Sequence, residues 1–320
     1  MNLKKIESCP LCGGAIFKKY TKIKDRFETT KKTFTVYECS DCGIGFLNPM
    51  PIGDVSKFYP TKYLSGETQT STADTGKLDL EKWYRYNQYK YDFKLFSRAT
   101  GSSIGNIKSY IDIGCGSGER VIFAKSQGCI KSFGVDKFVF TKNKIKKDAE
   151  IINSEILDYK PTKKFQASSL FHVLEHVENP QKILDHIKNH ILDKNGYLII
   201  QVPNYMSIER YVFGSKWFSF DVPRHLWQFN ETALENMLKK SGYKIKKTYK
   251  TNAPLHPVTI ASSMWRELDI QRIWVINTNR GIYRRVLEVL WILFTLLTIP
   301  LSLAQNILKK SSMLTIVVQK

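Results

Sequence analysis

The sequence predicts an α/β protein with a Rossmann-like, seven-stranded, largely parallel sheet. A small metal-binding module precedes the sheet, and a hydrophobic helical insertion interrupts it near the end. Three observations carry this reading. Apolar strand-like runs alternate with helical stretches from Ser109 to about Thr248, as in a parallel sheet covered by helices. A glycine-rich loop follows the first of these runs, and two Cys-x-x-Cys knuckles stand ahead of it.

The knuckles come first. Cys9-Pro10-Leu11-Cys12 and Cys39-Ser40-Asp41-Cys42 can bring four thiolates onto one tetrahedral ion, which favours zinc. The alternating segment from Thr33 to Glu38 is the strand that delivers the second knuckle. Four protein ligands leave no open coordination position, so this zinc is structural. Residues 61 to 77 are polar and rich in Thr, Ser and Gly, the composition of a connection. From Leu78 to Ser97, Trp83, Tyr84, Tyr86, Tyr89, Tyr91, Phe93 and Phe96 interleave with basic residues in a helix that covers the sheet or forms a lid. The organisation is therefore a zinc-ribbon-like module at 1–60, a linker and aromatic helix at 61–105, and a ligand-binding domain at 106–254. A substrate insertion lies near 204–230, a helical insertion spans 255–311, and a last strand falls at 312–320.

Strands are expected at 109–113, 131–135, about 150–154, 165–170, 196–202 and 243–249, with ligands gathering beyond their carboxyl ends. Asn179-Pro180 starts a helix that ends near Leu192. In Tyr110-Ile111-Asp112-Ile113-Gly114-Cys115-Gly116-Ser117-Gly118, an apolar strand runs into glycines that let the backbone turn sharply and approach a ligand. The helix after it offers its amino terminus, and Asp136 ends the next strand with a carboxylate suited to ribose hydroxyls.

Written as Asp-Ile-Gly-Cys-Gly-Ser-Gly, the loop resembles the first motif of the class I S-adenosylmethionine-dependent methyltransferases. Leu170-Phe171-His172-Val173-Leu174-Glu175-His176 is similar to the exit of their fourth strand. The resemblance implies S-adenosylmethionine as cofactor, with Gly114, Cys115, Gly116 and Gly118 bordering its methionine part and Asp112 holding the loop and the amine. It places Asp136 on the ribose, Glu155 on the adenine, and Leu170 and Phe171 beside the adenine and thioether. It also sets the final strand antiparallel beside the sixth. Gln166 departs from the pattern, since these enzymes often carry Asp there and an amide cannot supply that charge. A cysteine module ahead of such a domain resembles the zinc-ribbon methyltransferases of sugar and cell-surface glycan biosynthesis, where the ribbon helps frame the acceptor site.

His172 and His176 are four residues apart, so a continuous helix would put them on one face, a metal-like pairing without a clear third ligand. His176 otherwise braces the loop beneath the cofactor or acts directly. Beyond the fifth strand, Tyr211, Trp217, Phe218, Phe220, Asp221, Arg224, His225 and Trp227 resemble the substrate segment of sugar-modifying and quinone-precursor methyltransferases. His225 is the leading base, with a loop-bracing role as its alternative. Arg224 binds a phosphate or carboxylate, or pairs with Asp221; Glu175 orients His225 or an arginine; the aromatics stack on a sugar. The implied reaction is attack by an acceptor oxygen, carbon or nitrogen on the sulfonium methyl.

The formal charge is +20, from 49 basic and 29 acidic residues, which suits an anionic membrane surface, a phosphorylated substrate or nucleic acid. No RNA-binding module accompanies it. The six cysteines form no secreted disulfide framework and no apolar leader opens the chain, so a cytoplasmic location is expected. Val289 to Leu308 carries no charge and reaches the ~20 residues of a bilayer-crossing helix. Pro300 is expected to split it into two helical pieces, giving peripheral or monotopic attachment at the inner membrane, burial against another subunit in a homo-oligomer, or a true span. The functional alternative to a glycan or nucleotide-sugar methyltransferase is a quinone-precursor enzyme or a binding adaptor that kept the fold.

Overall fold

The computed structural model describes residues 2–53, 55–60, 80–138, 149–251, 258–269, 272 and 282–320; the expected linker at 61–77 lies outside them. Five short strands open the chain: β1 (Asn2–Lys4), β2 (Ile16–Lys24), β3 (Thr33–Cys39), β4 (Gly45–Leu47) and β5 (Met50–Ile52). Helix α1 (Leu80–Thr100) leads to β6 (Ser109–Ile113), α2 (Glu119–Ser126), β7 (Lys131–Asp136), β8 (Glu150–Asn153) and β9 (Phe165–Phe171). Next come α3 (Pro180–His186), β10 (Leu192–Pro203), α4 (Ile208–Phe213), β11 (Trp227–Gln228), α5 (Glu231–Lys240) and β12 (Lys244–Tyr249). The chain ends with α6 (Val258–Met264), α7 (Ile282–Ile307) and β13 (Met313–Gln319).

The main sheet has seven strands in the order β12-β13-β10-β9-β6-β7-β8. β6 pairs in parallel with β7 on one side and β9 on the other, while β13 runs antiparallel to both β10 and β12. The chain leaves β6 toward one edge and returns at β9 to build toward the other. The β6/β9 junction is therefore the topological switch point where an open α/β sheet binds its ligand. The helical stretch from Pro180 ends at Ile191, close to the expected Leu192, and Asn195-Gly196 falls inside the next strand. β10 already begins at Leu192 and absorbs the pair in a register shift between Leu192 and Tyr197.

The cysteine module does not stand apart. β11, from the segment after the fifth main-sheet strand, pairs antiparallel with β4 through Trp227↔Phe46 and Gln228↔Gly45, completing a second sheet in the order β11-β4-β3-β2. Val36, Phe46 and Leu47 share one apolar cluster with Leu174, Ile200, Phe220 and Phe229. Burying these side chains together fixes the module against the active edge of the main sheet.

Two expectations about the tail change. α7 runs unbroken from Ile282 to Ile307 with Pro300 inside it, so proline does not split it. Pro300 lies on the exposed face of the helix. The polarity of α7 is also inverted for part of its length. Val289, Leu293, Leu296, Leu297 and Ile307 face outward, whereas Ser302 and Gln305 are each 1% exposed. Only 22% of its most apolar stretch is buried inside the protein.

Behind the inner face of α7, Glu209 of α4 is 1% exposed, and Thr259, Ser312 and Gln305 surround it. Burial raises its pKa to about 7, so the folded chain prefers the neutral acid. A carboxyl whose folded pKa exceeds its unfolded value stabilises the fold at low pH and loses that contribution as pH rises through the folded pKa. Glu209→Gln is therefore expected to match the native chain near pH 4.5. Above about pH 7 it should exceed it by about 3 kcal/mol. Urea unfolding of both proteins at pH 5 and pH 8 measures the difference, and a gap that did not grow with pH would contradict the assignment.

Candidate active site

The glycine loop sits at the carboxyl end of β6. Gly114, Gly116 and Gly118 all have positive φ, at 70°, 53° and 80°. The Gly114 amide donates to Val135 O at 2.8 Å, tying the loop to β7. A Cβ at Gly116 would have nothing within 4 Å, so the loop leaves open space in front of this residue. The Cys115 thiol instead packs inward against Gly134, Val121 and Ala149, so its contribution to the loop is backbone.

Asp112 lies beneath the loop, 2% exposed, and accepts from Ser169 Oγ at 2.5 Å; that hydroxyl is 2.6 Å from Tyr110 Oη. Burial raises its pKa to about 6, with Arg120 acting in the opposite direction. Asp136 reaches across the loop: Oδ2 accepts from the Gly116 amide at 2.9 Å and Oδ1 from the Phe138 amide at 2.8 Å. Glu155 stands beside it, its exposed carboxylate 3.2 Å from Lys137 Nζ. Leu170 is completely buried in the main core, and Phe171 lies under the Arg120 guanidinium at 4.0 Å. Gln166 sits at the far end of β9, where Oε1 accepts from the Lys108 amide. Its missing charge therefore falls at the sheet edge opposite the loop.

Helix α1 closes over α2. Tyr89, Phe93 and Phe96 are buried, with Phe93 stacked on Phe123 at 5.6 Å, while Trp83 and Tyr86 remain about half exposed. The sequence did not single out its most consequential residue. Asp92 is 1% exposed and holds Arg120 at 3.2 Å; its other oxygen accepts from Gln201 Nε2 at 3.0 Å. Burial raises the Asp92 pKa and Arg120 opposes the rise. This pair places a buried guanidinium directly after the glycine loop. The sequence signal was Arg120 itself, two residues past Gly118.

The exit of β9 does not continue as a helix. His172 has φ 56°, and Leu174–His176 form a single 3-10 turn, so His172 and His176 do not share a helical face. Glu175 is fully buried and lies between imidazoles, 3.2 Å from His172 Nδ1 and 4.0 Å from His225 Nε2. Burial disfavours its charge, but the His172 hydrogen bond and the neighbouring rings prevail and hold its pKa at about 2. His225 Nδ1 lies 2.7 Å from Ser219 O and is the donor; burial, reinforced by His176, lowers its pKa to about 4. The ring is therefore neutral, with its lone pair on Nε2. His176 makes the equivalent contact to Arg224 O at 3.0 Å.

Arg224 takes the ion-pair alternative. It is 1% exposed, 2.7 Å from Asp221 and 2.8 Å from Asp25, and it donates to Phe58 O at 2.7 Å. Burial works against the charge of Asp221, yet Arg224 and Arg26 hold it well below the usual carboxylate range. Its side chain is fully buried and four of its five N–H donors are engaged by Asp221, Asp25 and Phe58 O, so the guanidinium is turned inward rather than toward an incoming phosphate. The expected sugar-stacking face is also used internally. Trp217, Phe220 and Trp227 are at most 3% exposed, Trp227 Nε1 donates to Val177 O, and Phe218 carries the Arg26 guanidinium at 3.9 Å. Among the insertion aromatics, Tyr211 remains open at 56%.

Cys9, Cys12, Cys39 and Cys42 converge with all four sulfurs within 4.8 Å of one another. Cys9–Cys42 and Cys12–Cys39 are separated by 3.7 and 3.5 Å. The edge of a tetrahedron with Zn–S bonds of ~2.3 Å is about 3.8 Å, so these four residues fit such an ion.

The comparisons match this geometry. A family model described as a methyltransferase domain covers residues 83–248, just over half of the chain. No curated protein matches the sequence. Among solved structures, the [4+2]-cyclase SpnF superposes with a TM-score of 0.51 at 12% identity, over 85% of this chain and 98% of its own. A SAM-dependent methyltransferase from Archaeoglobus fulgidus gives 0.45 at 20% identity, over 72% and 94%. The 1,6-didemethyltoxoflavin-N1-methyltransferase of Burkholderia thailandensis gives 0.46 at 12%, over 88% and 97%. The family match, the strand order and the loop beside Asp112 and Asp136 lead to one conclusion: the chain belongs to the methyltransferase-domain family and is an S-adenosylmethionine-dependent methyltransferase of the class I fold.

Proposed function

We propose that the enzyme methylates an oxygen of a small sugar-bearing acceptor, a nucleotide-sugar or lipid-linked glycan, at the cytoplasmic face of the inner membrane. The observation that carries the membrane part is α7, which turns Leu293, Leu296 and Leu297 outward and keeps Ser302 and Gln305 inside. A helix with its apolar side out suits lipid, and exposed Arg285, Lys309 and Lys310 at its ends suit anionic headgroups. β12 and β13, which precede and follow α7, pair with each other in one sheet, which favours a helix lying in the interface over one crossing it.

Bound S-adenosylmethionine supplies an electrophilic methyl on a sulfonium. Gly114, Gly116 and Gly118 would hold its methionine part, Asp136 and Glu155 its nucleoside, and Asp112 would anchor the loop from below. Phe171, stacked with Arg120, would wall the pocket between loop and lid helix. His225 has only Nε2 available to receive the acceptor proton, and Glu175 at 4.0 Å would stabilise the resulting imidazolium. The four cysteines would hold one structural zinc that keeps β3, β4 and β11 together on the acceptor side. Cys39→Ser is expected to release that ion to a chromogenic chelator and to lower the melting temperature.

The function is tested with labelled S-adenosylmethionine and cell extracts separated into nucleotide-sugars, lipids, glycans and RNA. Label is expected in a sugar or lipid-linked glycan and should vanish with Asp112→Ala. Label confined to RNA or protein, or to a quinone precursor, would overturn the acceptor assignment.

A further inference from the structure

We infer that Glu175, His176 and His225 form a second metal site, separate from the four cysteines, for a divalent first-row transition ion. One ligand atom from each side chain lies within 4.8 Å of the other two. Both histidines present Nδ1 to a backbone carbonyl, Arg224 O for His176 and Ser219 O for His225. A carbonyl oxygen only accepts, so Nδ1 carries a proton in each ring and Nε2 is the nitrogen left to meet an ion. Metal-binding histidines are held in this way, with the second ring nitrogen fixed by an outer partner.

Glu175 provides the independent observation. Its side chain is fully buried; Oε1 lies 3.2 Å from His172 Nδ1 and 4.0 Å from His225 Nε2, and among the described residues Oε2 has no hydrogen-bond partner. Leaving a carboxylate oxygen buried without a donor is costly, and a cation held by Glu175 and the two imidazoles removes that cost. Asp221 Oδ2 lies 3.8 Å from His225 Nε2 but is already committed to Arg224, so the ligand set is two imidazoles and one carboxylate. Such a set suits zinc, iron, cobalt or manganese and leaves coordination positions open, unlike four thiolates.

With the ion bound, His225 Nε2 is a ligand and no longer free to act as the base, so the metal-bound hydroxyl sheds its proton to solvent instead. This chemical consequence rests on the O-methylation reading; the binding of the ion does not. A hydroxyl bound at an open position loses its proton to water as its O–H bond breaks, and the oxygen keeps the electron pair. That oxygen then bonds to the methyl carbon while the carbon–sulfur bond breaks, leaving a neutral thioether.

The test is equilibrium dialysis of the full chain against Zn²⁺ and, separately, Co²⁺, with metal per chain from elemental analysis and visible spectra of the cobalt form. The expected result is two ions per chain, one with thiolate charge-transfer bands and one with only weak nitrogen/oxygen ligand-field bands. The double substitution His176→Ala, His225→Ala should remove the second ion and leave the thiolate-bound one. Glu175→Gln, which nearly preserves volume, should weaken the second ion by at least ~10-fold while circular dichroism stays native. A native chain that binds only the thiolate-ligated ion overturns the inference, as does a double variant that keeps both. Methyl transfer by protein holding a single ion would sink this inference and leave the O-methylation reading standing. Two ions with no sugar or glycan product would do the reverse.

Discussion

Gly114→Ala is expected to weaken S-adenosylmethionine binding by about two orders of magnitude in calorimetric titration while the chain stays folded. Gly114 has φ +70°, a conformation that costs a residue with a Cβ ~1–3 kcal/mol, or about 5- to 150-fold in affinity if the loop must regain it on binding. A second effect adds to this. The new Cβ would overlap the methyls of Val173, whose β-branched side chain has little rotamer freedom to retreat. The loop must then lift from its hydrogen bond to Val135 O and draw Asp136 away from the Gly116 amide. Gly116→Ala is the matched control. Gly116, at φ 53°, carries the same conformational cost, but its Cβ would meet nothing within 4 Å, so a smaller loss than in Gly114→Ala would isolate the clash with Val173. Native affinity in Gly114→Ala would show that the cofactor does not depend on this loop.

The contrast between these glycines also marks what the sequence could convey. The loop, Asp112 and Asp136 were legible because their chemistry is local: a strand, a tight turn and an acid at the next strand end need no distant partner. The seven strands were legible for the same reason, through apolar runs bounded by turn residues. The Asp92–Arg120 pair was not, because it joins two helices that only tertiary packing brings together. The helical pairing of His172 and His176 failed on one torsion, the positive φ of His172. Pro300 did not split the helix: a proline removes one backbone hydrogen bond and crowds the preceding turn, which a 26-residue helix can absorb as a local kink. The aromatics of the insertion were read as a sugar platform, but β11 ties that segment to the cysteine module, and most of its rings form the core of the junction. Amphipathic and aromatic patterns show that a side chain will be covered; they do not show whether protein or ligand covers it.

Arg224 gives the largest expected effect on stability. Its guanidinium is buried between Asp221, three residues before it, and Asp25, 199 residues before it. The first partner was visible in the sequence and the second was not. Asp25 is itself a hub, accepting from the Phe27 and Thr29 amides and the Thr29 hydroxyl, so it cannot swing out to water when its cation is removed. Arg224→Met keeps much of the side-chain volume and takes the guanidinium from both Asp25 and Asp221, with Arg26 and His225 still beside Asp221. Breaking a buried ion pair from one side costs about 3–5 kcal/mol, which for a chain of 320 residues lowers the melting temperature by roughly 4–7 °C. If Arg224 instead bound an acceptor phosphate, the same substitution would raise KM and leave the melting curve in place. The junction of module, insertion and α6 region, where Arg26 also grips Asp269, predicts the opposite outcome. The melting temperature should fall first. Where enough folded protein remains to assay, KM for the acceptor should stay near the native value, because the guanidinium is fully buried against Asp25 and Asp221.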